Sequence, residues 1–225
     1  MTIELVIFDN DGTLSDSEAI NNAAVSDLLI ELGLEKYTLE HCHEHLAGQA
    51  MSDLVKLIER ENNVTLPVDF IDQFINLARS ETERSLRPVP GAVEAVQELE
   101  RHYKVCVGSN GERVNVMTAI KKIGLLDLFT EDHIFTKSQV ARGKPEPDLF
   151  LYAAERMGVS PEKTIVIEDT TSGARAGVSA GMRVLGITAV SHNPASMTKN
   201  LESLGVERVF GEWSEIVDYI KKACG

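Results

Sequence analysis

An α/β fold is predicted for this 225-residue chain: a parallel sheet with helices on both faces, interrupted after its first strand by an all-helical insertion. Three observations predict it. A short, nearly continuous apolar run occupies residues 3–8. A long stretch of purely helical periodicity follows. Beyond Gly91, strand-like and helix-like segments alternate.

Residues 3–8 are rich in β-branched side chains and read as a buried strand ending at Asp9, with Gly12 marking a turn. From residue 16 to about 84 the apolar positions recur at helical spacing. Leu28, Leu29 and Leu32 are followed by Leu54, Leu57 and Ile58, then by Phe70, Ile71, Phe74 and Leu77. The run Arg87, Pro88, Val89, Pro90, Gly91 breaks this pattern. Residues 92–102 then read as a helix and 103–108 as a strand. Residues 114–123 read as a helix stopped by Gly124, 133–136 as a brief strand, and 148–157 as a helix ending at Gly158. Residues 164–167 are a strand, followed by a helix to Gly181. Segments 184–187 and 209–210 complete the strands. The expected organisation is a core of residues 1–15 and 88–225 with a helical block at 16–87.

Hydrophobic residues make up 43% and charged residues 25%, which is ordinary globular composition. The net charge of −13 and the lack of any Lys/Arg run argue against a nucleic-acid partner. An anionic substrate would need concentrated local positive charge, and a metal ion is the simplest source. Cys42, Cys106 and Cys224 are odd in number and far apart, so no disulfide framework is expected and a reducing compartment is. No leader pattern and no membrane-length apolar run is seen. A soluble, cytoplasmic protein without a membrane partner is expected. It is expected to be a monomer, since no assembly helix stands out.

Ligands of open parallel sheets bind beyond the carboxyl ends of the strands. The first strand ends in Asp9 and Asp11, the second in Ser109, Asn110 and Gly111, and a later one in Glu168 and Asp169. Lys144 stands in a loop between Gly143 and Pro145. Asp9 and Asp11, two apart in extended chain, project to one side, where one carboxylate can attack while the other moves a proton. With Asp169 they offer the oxygen donors that Mg²⁺ prefers. An isolated Asp-Xaa-Asp-Gly also suits a plain turn, but the other three segments outweigh that reading. Glu168 and Asp169, paired at a buried strand end, repel each other unless a cation offsets them. Gly173, Gly177 and Gly181 read as close backbone packing beside the first strand. His41, Cys42, His43 and His45 look like a metal cluster, but only His41 and His45 share a helix face. They read as solvated, with His45 the one nearest a substrate.

The segments FDNDGTLSDSE, VGSNG, GKPEPD and VIEDTTSG, in that order, resemble the four motifs of the haloacid dehalogenase superfamily in its phosphatase branch. The resemblance covers essentially the whole chain. It implies a Rossmann-like core with an inserted helical cap, and a phosphatase acting through an aspartyl phosphate. It implies Asp9 as nucleophile, Asp11 as general acid and base, and Ser109 and Lys144 as phosphoryl ligands. Asn110 and Gly111 would assist them. Mg²⁺ would be held by Asp9, Asp169 and the main-chain carbonyl of Asp11, with Glu168 bound directly or in support. The electrostatics fit. A carboxylate attacking a phosphate dianion meets repulsion of about 4 kcal/mol per unit-charge pair at 4 Å and an effective dielectric of 20, which Mg²⁺ and Lys144 offset.

Within the superfamily, Asp11 separates the chain from dehalogenases and phosphonate-cleaving relatives. β-Phosphoglucomutase is the competing branch, with a histidine where Asn21 stands here and basic residues in the cap loop. The loop Leu46, Ala47, Gly48, Gln49, Ala50, Met51 has none. A small phosphorylated metabolite, such as a sugar phosphate, is therefore the expected substrate, with Glu18, Asn22 and Gln49 contacting its leaving group. Sugar-phosphate mutase activity is the alternative. A module that only binds phosphorylated ligands is disfavoured, because every expected catalytic group is kept.

Overall fold

The computed structural model describes residues 2–46 and 51–224. Its six strands are β1 (Leu5–Phe8), β2 (Lys104–Ser109), β3 (Ile134–Thr136), β4 (Thr164–Glu168), β5 (Arg183–Ile187) and β6 (Arg208–Phe210). All pair in parallel, in the order β3-β2-β1-β4-β5-β6. The chain therefore leaves β1 in one direction across the sheet and returns to its other side at β4. That reversal opens a crevice at the carboxyl ends of β1 and β4. The expected strands are all present, the first beginning at Leu5 rather than residue 3.

Between β1 and β2 lie α1 (Glu18–Glu31), α2 (Leu39–His45), α3 (Met51–Asn62), α4 (Phe70–Ser85) and α5 (Ala92–Leu99). The first four build a hydrophobic core of their own around Leu29, Tyr37, Ile58, Phe70 and Phe74. Leu32 and Leu77 sit at the expected spacing but are exposed. Leu32 already lies at the C-cap of α1, beyond its packed face. The two chain crossings into this block run side by side, with Ser15 bridging Pro88 and Asp16 N–H donating to Arg87 O at 3.0 Å.

The remaining helices are α6 (Arg113–Lys122), α7 (Asp148–Met157), α8 (Thr171–Ser179), α9 (Pro194–Ser203) and α10 (Trp213–Cys224). Alternate residues of each strand face opposite ways. Val6, Phe8, Val107 and Ile167 pack under α5, α6 and α10, whereas Leu5, Ile7, Cys106 and Val166 pack under α7, α8 and α9. Each fully buried side chain of this size contributes about 1.5–3 kcal/mol. Neither α9 nor α10 is anticipated above. Helix α9 buries only Leu201, so its periodicity is faint, and it is set instead by Pro194 in its first turn and Asn193 capping Ser196 N–H.

The glycine-rich α8 packs mainly on β4 and β5, and β4 is the neighbour of β1 in the sheet. A Cβ on Gly177 would lie 2.7 Å from Val184 and 3.4 Å from Val166. The helical block is tied to the core by the packing of α4 on α6. Lys137 adds bonds to Ser52 Oγ (2.8 Å) and Asp53 Oδ2 (2.7 Å). The His43 ring also meets that of His192 with centroids 5.1 Å apart. Cys42 and Cys106 are buried free thiols, and burial pushes both above the usual thiol range. Among the described residues no helix is long and apolar enough to cross a membrane.

Candidate active site

Strand β1 delivers Asp9 to the crevice, its N–H bonded to Ile167 O of β4 at 3.0 Å. The chain then turns sharply. Gly12 has φ +80°, and a Cβ there would fall 2.1 Å from Asp169 Oδ2, so only glycine lets the first loop close over that carboxylate. Thr13 donates to Asp169 Oδ1 at 3.0 Å, and the loop is pinned from below by Trp213, whose indole N–H reaches Thr13 O at 3.2 Å.

Lys144 is buried, and its ammonium bonds both Asp9 Oδ1 (2.5 Å) and Glu168 Oε1 (2.6 Å). The Phe150 ring lies beneath it, 4.9 Å from the nitrogen. Asn110 anchors the lysine loop through both backbone groups of Lys144. Its amide donates to Lys144 O and accepts from Lys144 N–H, each at 2.9 Å. The second oxygen of Glu168 accepts from Thr170 N–H at 3.0 Å and Thr170 Oγ1 at 2.8 Å. Glu168 thus holds the ammonium from behind. A Cβ at Gly173 would overlap the Glu168 carboxylate, so this glycine serves the site and not helix packing alone.

Burial disfavours the charged forms of Asp9, Asp169 and Lys144. It pushes Asp9 up to about 8, with Glu168 and Asp11 adding to the rise and Lys144 opposing it. Burial also raises Asp169 well above the carboxylate range, assisted by Glu168 and Asp9. The same burial would discharge Lys144, but Asp9 and Glu168 more than reverse that, and it stays cationic.

Asp11 is held from two sides. Ser17 Oγ and Asn21 Nδ2 donate to its Oδ1, the latter at 3.1 Å, while Ser109 Oγ approaches Oδ2 at 3.4 Å. Ser109 Oγ itself accepts from Gly111 N–H at 2.9 Å.

A cavity of about 240 Å³ opens above these groups. Asp9, Asp11, Ser109, Asn110, Gly111, Lys144, Glu168 and Asp169 all line it, so the structure brings the four sequence segments together. Glu18 and Asn22 line it too, and both meet His43: Asn22 Nδ2 lies 3.1 Å from Nδ1, and Glu18 Oε1 3.6 Å. Gln49 lies outside the described residues. His45 is exposed beside Glu44 and does not line the cavity, correcting its expected place near a substrate. Cys42 is buried in the insertion core, with its thiol towards Tyr37 O. Sequence reasoning missed Ser17, Thr13 and Thr170, whose only signal is a run of small polar residues next to each acid. It also missed Asn115 and the apolar wall of Val25, Leu54 and Phe74.

Among the described residues, one group has the make-up of a metal site. Asp9, Glu168 and Asp169 each bring a carboxylate oxygen within 4.8 Å of the others. An all-oxygen set of this kind suits Mg²⁺, and a dication would offset the burial and the mutual repulsion that raise Asp9 and Asp169. With both Glu168 oxygens engaged by Lys144 and Thr170, Asp9 and Asp169 are the better placed to bind.

Residues 6–187 match the family model described as haloacid dehalogenase-like hydrolase. A 6-phosphogluconate phosphatase of Escherichia coli (strain K12) is 32% identical over 85% of this chain and 85% of its own. A fructose-1-phosphate phosphatase of the same organism is 30% identical, over 79% of this chain and 92% of its own. Among solved structures, a HAD family hydrolase of Deinococcus radiodurans R1 with bound phosphate and sodium superposes with a TM-score of 0.76. It is 29% identical, over 99% of this chain and 97% of that one.

Proposed function

The chain belongs to the haloacid dehalogenase-like hydrolase family, and from that premise we propose that it is a Mg²⁺-dependent phosphomonoester hydrolase of small phosphorylated metabolites, most fittingly sugar phosphates. The observation that carries this reading is the buried ammonium of Lys144 lying between Asp9 and Glu168, with Asp11 and Asp169 lining the same cavity.

Asp9 is the nucleophile, and its attack on phosphorus produces an aspartyl phosphate. Lys144 neutralises charge on the transferring phosphoryl oxygens and on Asp9. Ser109 Oγ, itself held by the Gly111 N–H, orients those oxygens. Asp11, aligned by Ser17 and Asn21, protonates the departing oxygen and then takes a proton from the water that hydrolyses the acyl phosphate. Glu168 positions Lys144. Asp9, Asp169 and the carbonyl of Asp11 would hold Mg²⁺, which supplies charge neutralisation for the phosphoryl group. The helical block at 16–87 is the cap that covers the cavity and keeps out bulk water.

Hydrolysis is favoured over mutase chemistry because Lys144 is the one Lys or Arg among the described residues lining the cavity, leaving no cation to hold a second phosphate. Phosphate release from a panel of sugar and polyol monophosphates, with Mg²⁺ and with chelator, tests the reading. Metal-dependent release is expected. Isomerisation without free phosphate would establish the mutase instead.

A further inference from the structure

The charges around the cavity are lopsided once the catalytic groups are set aside. Among the described residues, the remaining ionisable ones that line it are Glu18 and Glu112, both acids. The ammonium of Lys144 is already shared between Asp9 and Glu168. Residues 47–50, outside the described part, are Ala, Gly, Gln and Ala, and so bring no charge wherever they lie. The rest of the wall is apolar or neutral, with Asn21, Asn22 and Asn115 supplying amides.

Resting on the phosphatase reading above, we propose that this site is selective for monophosphates whose leaving group is an uncharged, hydroxylated carbon chain. Phosphates that carry a second anion are discriminated against, with Glu18 and Glu112 as the selecting residues. A second carboxylate or phosphate on the substrate would be taken out of water toward two acids, of which Glu18 has the His43 ring 3.6 Å away, and no described Lys or Arg besides Lys144 lines the cavity to meet it. A polyol or neutral sugar leaves its hydroxyls to the asparagine amides and its carbon skeleton to Val25, Leu54 and Phe74. The cavity, about 240 Å³, has room for a small metabolite. This sorts the chain among its relatives by chemistry. It sides with the protein named for fructose 1-phosphate and departs from the one named for 6-phosphogluconate, an anionic sugar acid.

The test is a matched pair on one carbon skeleton. Phosphate release from a hexitol 6-phosphate and from 6-phosphogluconate is measured with the full chain in Mg²⁺, alongside p-nitrophenyl phosphate. The hexitol phosphate is expected to show a kcat/KM at least about tenfold higher, equivalent to about 1.4 kcal/mol. The ratio is expected to narrow as salt is raised, and to narrow in Glu18→Gln, Glu112→Gln and the double variant. An equal or reversed ratio in the unmodified chain overturns the inference while leaving the phosphatase reading standing. A wild-type gap that persists unchanged in the soluble variants overturns the assignment to these two acids. No phosphate from any of the three compounds overturns the parent reading and the inference with it.

Discussion

Asn21, on the first helix of the insertion, donates its side-chain amide to Asp11 Oδ1 at 3.1 Å, so a residue of the helical block holds the carboxylate assigned as acid and base in the core. The alignment of Asp11 is thereby linked to how the insertion sits on the sheet. In Asn21→Ala, kcat is expected to fall by about tenfold with the pH profile shape kept. Asp11→Asn should lose the about 10²–10⁴-fold typical of a general acid–base. Steady-state kinetics on one monophosphate checks both, and an Asn21→Ala enzyme of full kcat would remove Asn21 from this role.

Lys144 is the buried counter-charge shared by Asp9 and Glu168. In Lys144→Met, two buried carboxylates lose their shared counter-charge, a change that costs roughly 3–5 kcal/mol when a buried pair is broken. Denaturant unfolding without metal should show a loss of that order, and turnover should drop by about 10²–10³-fold. A variant as stable and as active as the parent would contradict the arrangement.

Metal binding should be visible without any turnover. A ligand at one hundred times its Kd adds about 2.7 kcal/mol to the folded state, which for a chain of this size raises the thermal midpoint by roughly 5–10 °C. Mg²⁺ is expected to shift the chelated protein in this way and to leave Asp169→Asn nearly unmoved. Identical shifts in the two proteins would place the ion elsewhere.

Stability at low pH should depend on Glu207. Arg183 bonds both its carboxylate oxygens, at 2.7 and 2.6 Å, and Tyr219 donates to it at 2.5 Å. The Arg183 hydrogen bond, then Tyr219, holds Glu207 below its usual 4.5. A depressed carboxylate contributes stability above its unfolded pKa and loses it as pH falls through the folded one. The group is about one-third exposed, so the contribution is about 1 kcal/mol or less. Glu207→Gln should flatten the wild-type decline in stability below pH 4.5. An unchanged decline would show that other carboxylates set it.

What was legible in the chain follows from where each residue stands. Asp9, Asp169 and Lys144 stood out because strand ends and a Gly-Pro loop punctuate the sequence, and the parallel order of the strands then brought them together. Ser17, Asn21 and Thr170 were harder to see. Their roles depend on a hydroxyl or amide meeting one carboxylate oxygen, which spacing along the chain does not encode. Glu168 illustrates the difference. The sequence marked it as part of an acidic pair, but only the folded chain shows Thr170 and Lys144 dividing its two oxygens. Helix α9 was missed for a related reason: a single buried Leu201 leaves no stripe to read.

Covalent capture of the intermediate tests the nucleophile most directly. Borohydride reduces an acyl phosphate to an alcohol, so trapping during turnover with Mg²⁺ and a monophosphate substrate should convert position 9 to homoserine, read by peptide mass spectrometry. Substrate-dependent homoserine at Asp9, absent in Asp9→Asn, is the expected result. Steady turnover with Asp9 unmodified, or reduction at another carboxylate, would contradict the account.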